Sequence, residues 1–83
     1  MKKVLMYTLS TCPHCRKAKK FFEERDIPFE FIDYDLAEKE DRKRMSEEMR
    51  SKAGGTNTPF VMIGDDFVVG YNPKRYSELL GID

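Results

Sequence analysis

Neither sign of charge predominates in these 83 residues: fifteen Lys and Arg balance fifteen Asp and Glu. A dedicated nucleic-acid binder needs a broad basic excess, so the composition argues against that class. Long apolar runs are missing too. Nothing approaches the ~18 consecutive apolar residues that a membrane-spanning helix requires. Lys2 and Lys3 imitate the positive start of a secretory leader, but the apolar stretch 4–9 is too short for one and no small-residue cleavage site follows. No repeat, linker or low-complexity segment is visible. These omissions lead to the expectation of a soluble cytoplasmic protein with neither membrane nor nucleic-acid partner, forming one domain over residues 1–83. No long apolar surface stripe is evident, so a monomer is expected.

Cysteine is scarce as well. The chain has two, with its single histidine between them, in Cys12-Pro13-His14-Cys15. Thiols so close can hold a metal, staple a fold or exchange electrons. A structural zinc site takes four protein ligands, and a catalytic one takes three plus water. Here His14 is wedged between the thiols and no second cysteine pair exists. Zinc would therefore have to be shared across a dimer interface, and no metal site is expected. A disulfide between such near neighbours constrains the unfolded chain less than one closing a long loop. The cytosol would also tend to reduce it. Redox exchange is the reading these residues favour.

Core-forming residues are present in quantity: 40% of the chain is apolar, including six Phe and four Tyr. A chain of this length buries roughly 60–65% of its unfolded surface, enough for one modest core. Residues 2–9, KKVLMYTL, read as a strand buried on both faces, because the apolar run is nearly continuous. A helix is expected to begin at Pro13, whose missing N–H suits a first helical position. Cys15, Ala18, Phe21 and Phe22 recur at helical spacing, and Lys17, Lys19, Lys20, Glu23 and Glu24 are assigned to the outer face. Asp26-Ile27-Pro28 ends that helix.

Residues 29–35, FEFIDYD, alternate in the manner of a second strand. Residues 37–53 form a charged helix with a thin apolar stripe at Met45 and Met49, read as a solvated face and stopped by Gly54-Gly55. Residues 59–63 and 67–70 are short strands joined by a hairpin-like Gly64-Asp65-Asp66 link. Residues 74–80 close the chain as a helix with Tyr76, Leu79 and Leu80 inward. The order is β-α-β-α-β-β-α. The first two strands should be parallel with a right-handed crossover, and the last two antiparallel. An α/β architecture follows, with a four-stranded mixed sheet flanked by three helices.

The chemistry starts from Cys12, placed just before the first helix, and Cys15, in its first turn. Residues three apart on a helix share a face, so the sulfurs can meet. The first N–H groups of a helix lack internal partners and carry the positive end of its dipole. A sulfur there is stabilised as thiolate, so Cys12 should have a lowered pKa. His14, Arg16, Lys17, Lys19 and Lys20 are expected to add positive charge nearby. Cys12, nearer the helix end, is the expected attacker of a disulfide, and Cys15 resolves the mixed disulfide that forms. His14 reads either as an exposed spacer or as a residue that tunes the potential when charged. The basic run 16–20 reads either as a solvated face or as a docking patch for an anionic partner.

Cys12-Pro13-His14-Cys15 after a strand, Thr58-Pro59 before a strand and the Gly64-Asp65-Asp66 hairpin together resemble the glutaredoxins, small members of the thioredoxin fold. The resemblance covers nearly the whole chain. It implies a cis peptide before Pro59, lying beside the cysteines, and a Thr58 backbone that pairs with an extended peptide or glutathione. Glutathione-using members typically carry Lys three residues before the first active-site Cys, where this chain has Leu9. They typically carry Gly-Gly-x-Asp-Asp after the last strand, where this chain reads Val69-Gly70-Tyr71-Asn72-Pro73. Asn72 can hydrogen-bond but brings no charge, which weakens the case for tight glutathione binding. The pattern at 70–73 is similar to that of the glutaredoxin-like redoxins that supply ribonucleotide reductase and draw on thioredoxin reductase. Tyr71 reads equally as a packing aromatic and as a wall of the substrate groove.

The expectation is therefore a dithiol–disulfide oxidoreductase without a bound cofactor, acting on protein or small-molecule disulfides. Cys12 and Cys15 are its catalytic residues, and Pro13, His14, Thr58, Pro59, Tyr71 and Asn72 its candidate substrate-binding residues. Glutathione or thioredoxin reductase is the expected electron source. Two alternatives stand beside it: an iron–sulfur cluster or metal carrier, and a non-catalytic adaptor using the basic patch and an aromatic groove.

Overall fold

The computed structural model describes residues 2–82. Its elements are β1 (Val4–Thr8), α1 (Pro13–Glu24), β2 (Glu30–Asp33), a short 3-10 turn (Tyr34–Leu36), α2 (Lys39–Ala53), β3 (Phe60–Ile63), β4 (Asp66–Val69) and α3 (Pro73–Leu80). The strands lie in the order β2-β1-β3-β4. β1 runs parallel to β2, with Thr8 opposite Asp33, and antiparallel to β3; β4 is antiparallel to β3. The mixed four-stranded sheet expected from the sequence is the one observed.

β1 is central, so both of its faces are covered. Val4 and Met6 pack with Ala18, Phe21 and Phe22 of α1 and Tyr76 and Leu79 of α3. Leu5 and Tyr7 meet Met45 and Met49 of α2 together with Phe60 and Met62. The thin methionine stripe is thus enough to seat α2. Ser46 is buried on the same helix, which the apolar pattern does not reveal. Its hydroxyl is satisfied by the Arg42 carbonyl and by Tyr34, so burying it costs little.

Five local expectations need correction. β2 stops at Asp33 instead of continuing to residue 35, because the chain then turns out of the sheet. As an edge strand with one neighbour it leaves Phe31 and Ile32 exposed. Lys19 does not face outward. It is half-buried, lies 3.7 Å from the centre of the Phe31 ring and 3.5 Å from Asp33, and so covers part of the apolar surface that the edge leaves open. Asp66 belongs to β4 opposite Ile63, so the hairpin link is only Gly64-Asp65. Gly64 takes a φ of +61° there, as a tight two-residue link favours. α3 begins one residue earlier than expected, at Pro73, and Leu80 is half-buried rather than deep.

The aromatic centre of the α1–α3 side is Phe22. It is fully buried, with ring centroids of Phe21 and Tyr76 at 5.1 and 5.3 Å. Replacing it leaves a void that rigid neighbours fill only in part. Phe22→Ala is expected to destabilise the fold by about 3–5 kcal/mol, read as a lowered urea midpoint with the two-state slope retained. A loss below ~1 kcal/mol would show that this contact is not central.

Candidate active site

The site is built where β1 hands over to α1. Cys12 has extended backbone angles (φ −85°, ψ 116°) and caps the helix. Its carbonyl accepts the Arg16 N–H at 3.2 Å, and its own N–H donates to the Leu9 carbonyl at 3.1 Å. Its Sγ accepts the Cys15 N–H at 3.3 Å. The sulfur therefore occupies the place a serine or aspartate oxygen takes in an ordinary N-cap. Pro13 follows at the first helical position, where it removes one N–H that would have lacked a partner. Cys12 is half-buried and Cys15 fully buried, and both thiols are free.

The two thiols are pushed in opposite directions. At Cys12, desolvation is the largest single influence and raises the pKa. It is outweighed by hydrogen bonds from the Cys15 thiol, the Cys15 N–H, the Thr58 hydroxyl and the His14 N–H, which together hold Cys12 below the usual thiol range. At Cys15, burial followed by the hydrogen bond to Cys12 pushes the thiol up to about 11. The favoured arrangement is thus a Cys12 thiolate that accepts a proton-bearing Cys15.

The expected cationic contribution is not the cause. His14 acts through its backbone N–H, Lys19 is turned to Asp33, and Arg16, Lys17 and Lys20 are exposed. The stabilisation comes from the Cys15 thiol and from N–H and O–H groups, at the helix end and on Thr58, rather than from neighbouring charges.

The Thr58–Pro59 peptide is cis, as the resemblance implied. Pro59 is fully buried, and the Thr58 side chain before it favours ionisation at both sulfurs. The Pro59 carbonyl accepts the Gly70 N–H at 2.8 Å, and the Tyr76 hydroxyl donates to the Gly70 carbonyl. β3, β4 and α3 are thereby tied together behind the cysteines. The tie through Tyr76 has no sequence signal beyond an aromatic at an inward helical position.

Tyr71 lies just beyond, partly exposed, its ring edge-on to Tyr76 at 6.3 Å. It both packs and presents surface. Asn72 is exposed, but its Oδ1 accepts the Arg75 N–H at 3.1 Å as the N-cap of α3. His14 and Pro13 are exposed at the tip of α1. Among the described residues, no three His, Cys, Asp or Glu side chains converge as metal ligands. A concavity of about 540 Å³ beside Tyr34, Lys39 and Ser46 lies on the α2 side and includes neither cysteine.

The family model for glutaredoxin matches residues 4–68. The chain belongs to the glutaredoxin family. Glutaredoxins are thiol–disulfide oxidoreductases, and this one has the fold and the cysteine pair for that activity. It is 30% identical over 77 residues to a glutaredoxin-like 8.6 kDa protein encoded in a rubredoxin operon of Clostridium pasteurianum, with 93% of this chain and 96% of that protein aligned. Among solved structures, the glutaredoxin of Archaeoglobus fulgidus superposes with a TM-score of 0.86 at 42% identity, covering 96% of this chain and 87% of the other. NrdH-redoxin from Escherichia coli, a glutaredoxin-like protein with a thioredoxin-like activity profile, superposes at 0.77 with 27% identity and 93% of each chain covered. Both resemblances read from the motifs, to glutaredoxins and to the redoxins, thus have structural counterparts. No helix among the described residues is long and apolar enough to cross a membrane.

The opposed protonation states predict a distinct pH profile for alkylation of this glutaredoxin. Because the Cys12 pKa is lowered, its reaction with iodoacetamide should stay fast as pH falls through the ordinary thiol range, ~8.5, and slow only at lower pH. Cys15 should react only as pH approaches about 11. Thr58→Val, which removes a donor to Cys12, should move the Cys12 midpoint upward. An unchanged midpoint would remove Thr58 from the account.

Proposed function

We propose that this glutaredoxin reduces disulfides by two-step exchange, with Cys12 attacking and Cys15 resolving. The observation that carries this reading is the Cys12 sulfur held by the Cys15 N–H at 3.3 Å, half-open to solvent, with Cys15 sealed behind it. The Cys12 thiolate forms a bond to one sulfur of the substrate disulfide. The substrate S–S bond breaks, and the other sulfur leaves as a thiolate and takes up a proton. Cys15 then loses its proton and attacks Cys12 in the mixed disulfide. The Cys12–Cys15 bond forms, the second substrate sulfur leaves and is protonated, and the substrate has gained two electrons. A reductant returns the protein to its dithiol form.

Thr58 and Pro59 are proposed to line the approach to Cys12, with the Thr58 backbone pairing to an extended substrate segment. Pro13, His14 and Tyr71 form the surrounding surface. Substrates are proposed to be protein disulfides, met in a reducing compartment such as the cytoplasm. Glutathione is the family's co-substrate, but Leu9 offers no cation and the Asn72 oxygen is already engaged in capping α3. The electron donor is therefore proposed to be a flavoprotein reductase of the thioredoxin reductase type, with glutathione bound weakly. The likeness to a redoxin with a thioredoxin-like activity profile supports this choice.

Two measurements test the reading. Cys12→Ser is expected to abolish disulfide reduction, while Cys15→Ser accumulates a mixed disulfide on Cys12, visible by mass spectrometry. Trapping on Cys15 in the Cys12→Ser protein would reverse the roles. In coupled assays, NADPH oxidation through the protein should be faster with thioredoxin reductase than with glutathione and glutathione reductase; the opposite order would contradict the proposed donor.

A further inference from the structure

β1 and β4 both run antiparallel to β3, so they finish at the same end of the sheet. The helices that follow them, α1 and α3, both begin there. They pack on one face of the sheet through Phe21, Phe22, Tyr76 and Leu79. Arg16, Lys17 and Lys20 of α1 and Lys74 and Arg75 of α3 are all exposed. Among the described residues, none of these five cations enters an ion pair. Cys12, the thiol open to solvent, lies at this end, and its acidity is set by hydrogen-bond donors rather than by the five cations. The placement also runs against helix electrostatics, because a helix start favours carboxylates over cations. α2 follows that rule, with Glu40 and Asp41 in its first turn and Arg50 and Lys52 in its last. α1 and α3 have no acid in their first turns; Arg16 is the fourth residue of α1, and Lys74 and Arg75 are the second and third of α3. The carboxylates of these helices come late, at Glu23, Glu24 and Glu78. Asp33 and Asp35, at the end of β2, are engaged by Thr8, Lys19 and Ser10. With a formal net charge of zero over the whole chain, the cations are sorted onto this face and do not follow from a basic composition.

We propose that the cationic α1–α3 face beside Cys12 is a docking surface for a substrate protein that carries acidic residues around its disulfide. Arg16, Lys17, Lys20, Lys74 and Arg75 meet those carboxylates while Cys12 meets the disulfide. Opposite charges on the two surfaces raise the rate of productive encounter, and like charges turn basic proteins away. The five side chains are exposed and stay hydrated, so they act on encounter rate and salt dependence more than on the strength of any one contact. The proposal rests on the exchange reading above and adds to it the chemical class of the substrate.

The test is the rate at which the reduced protein is oxidised by synthetic peptides closed by an internal disulfide, whose flanking residues are all Glu, all Gln or all Lys. At low ionic strength the Glu peptide should react about tenfold faster than the Gln peptide, and the Lys peptide more slowly than either. The advantage should shrink to within about twofold near ~0.5 M salt, where the Debye length is about 4 Å. The double variants Lys17→Glu with Lys20→Glu, and Lys74→Glu with Arg75→Glu, should each abolish or reverse the Glu-over-Gln ratio. Lys43→Glu with Arg50→Glu makes the same change of net charge on exposed positions of α2 and should leave the ratio within about twofold of the unmodified one. Lys74→Glu alone should raise the urea midpoint, because it puts an acid in the first turn of α3; a lowered midpoint would mark the lysine as structural and overturn its place in the surface. Equal rates for the Glu and Gln peptides at low salt, or an equal loss of the ratio in the α2 variant, would overturn the docking surface. An equal loss of rate with oxidised glutathione in the α1 variant would reduce it to a small-anion site and overturn it as well. Failure to reduce any of the three peptides would instead overturn the exchange reading itself.

Discussion

A sulfur atom stands where a helix usually keeps an oxygen, and the rest of the molecule is arranged around that substitution. The first N–H groups of α1 have no carbonyls to bind, and the Cys12 sulfur takes the Cys15 N–H at 3.3 Å. A thiolate answers those donors better than a thiol does. The same residue that supplies the N–H carries the second thiol, one turn inward and fully buried. One helical turn therefore both favours the Cys12 thiolate and places the second thiol behind it. Burial raises Cys15 while hydrogen bonding lowers Cys12, so the two thiols are split in acidity by burial and hydrogen bonding rather than by neighbouring charges.

That arrangement needs a rigid floor, and the sheet provides it from both sides. β1 is held between a parallel and an antiparallel neighbour, and α1, α3 and α2 cover its two faces with separate apolar clusters. Tyr76 joins these levels. It packs among the α1 phenylalanines, and its hydroxyl holds Gly70, whose N–H in turn binds Pro59. This chain of contacts fixes the backbone that directly follows Thr58. On the other side, Asp33 and Asp35 secure the β1–α1 loop.

Much of this was legible in the residues. Pro13 marked the helix start, the spacing of Cys15, Ala18, Phe21 and Phe22 marked its inner face, and Gly54, at φ +77°, marked the end of α2. The pairing of Cys12 with Cys15 followed from local geometry. What was not legible depends on partners distant in sequence. Lys19 reads as one more solvated lysine until β2 brings Asp33 and Phe31 beneath it. Asn72 reads as a free hydrogen-bonding group until α3 claims its oxygen for Arg75. Ser10 and Asp35, 25 positions apart, show no relation until the parallel register joins them. The positive run after Cys15 also suggested that charge lowers the thiol, whereas the groups that do so are dipolar and close.

The central claim is that hydrogen-bond donors at the tip of α1 make Cys12 ionise well before Cys15. The most direct measurement is an NMR titration of the two cysteine Cβ resonances in the reduced protein, since these shift when the thiol ionises. The account predicts two well-separated transitions: Cys12 below the ordinary thiol range, and Cys15 near 11. Coincident transitions in the ordinary thiol range, or a Cys12 that ionises after Cys15, would contradict it.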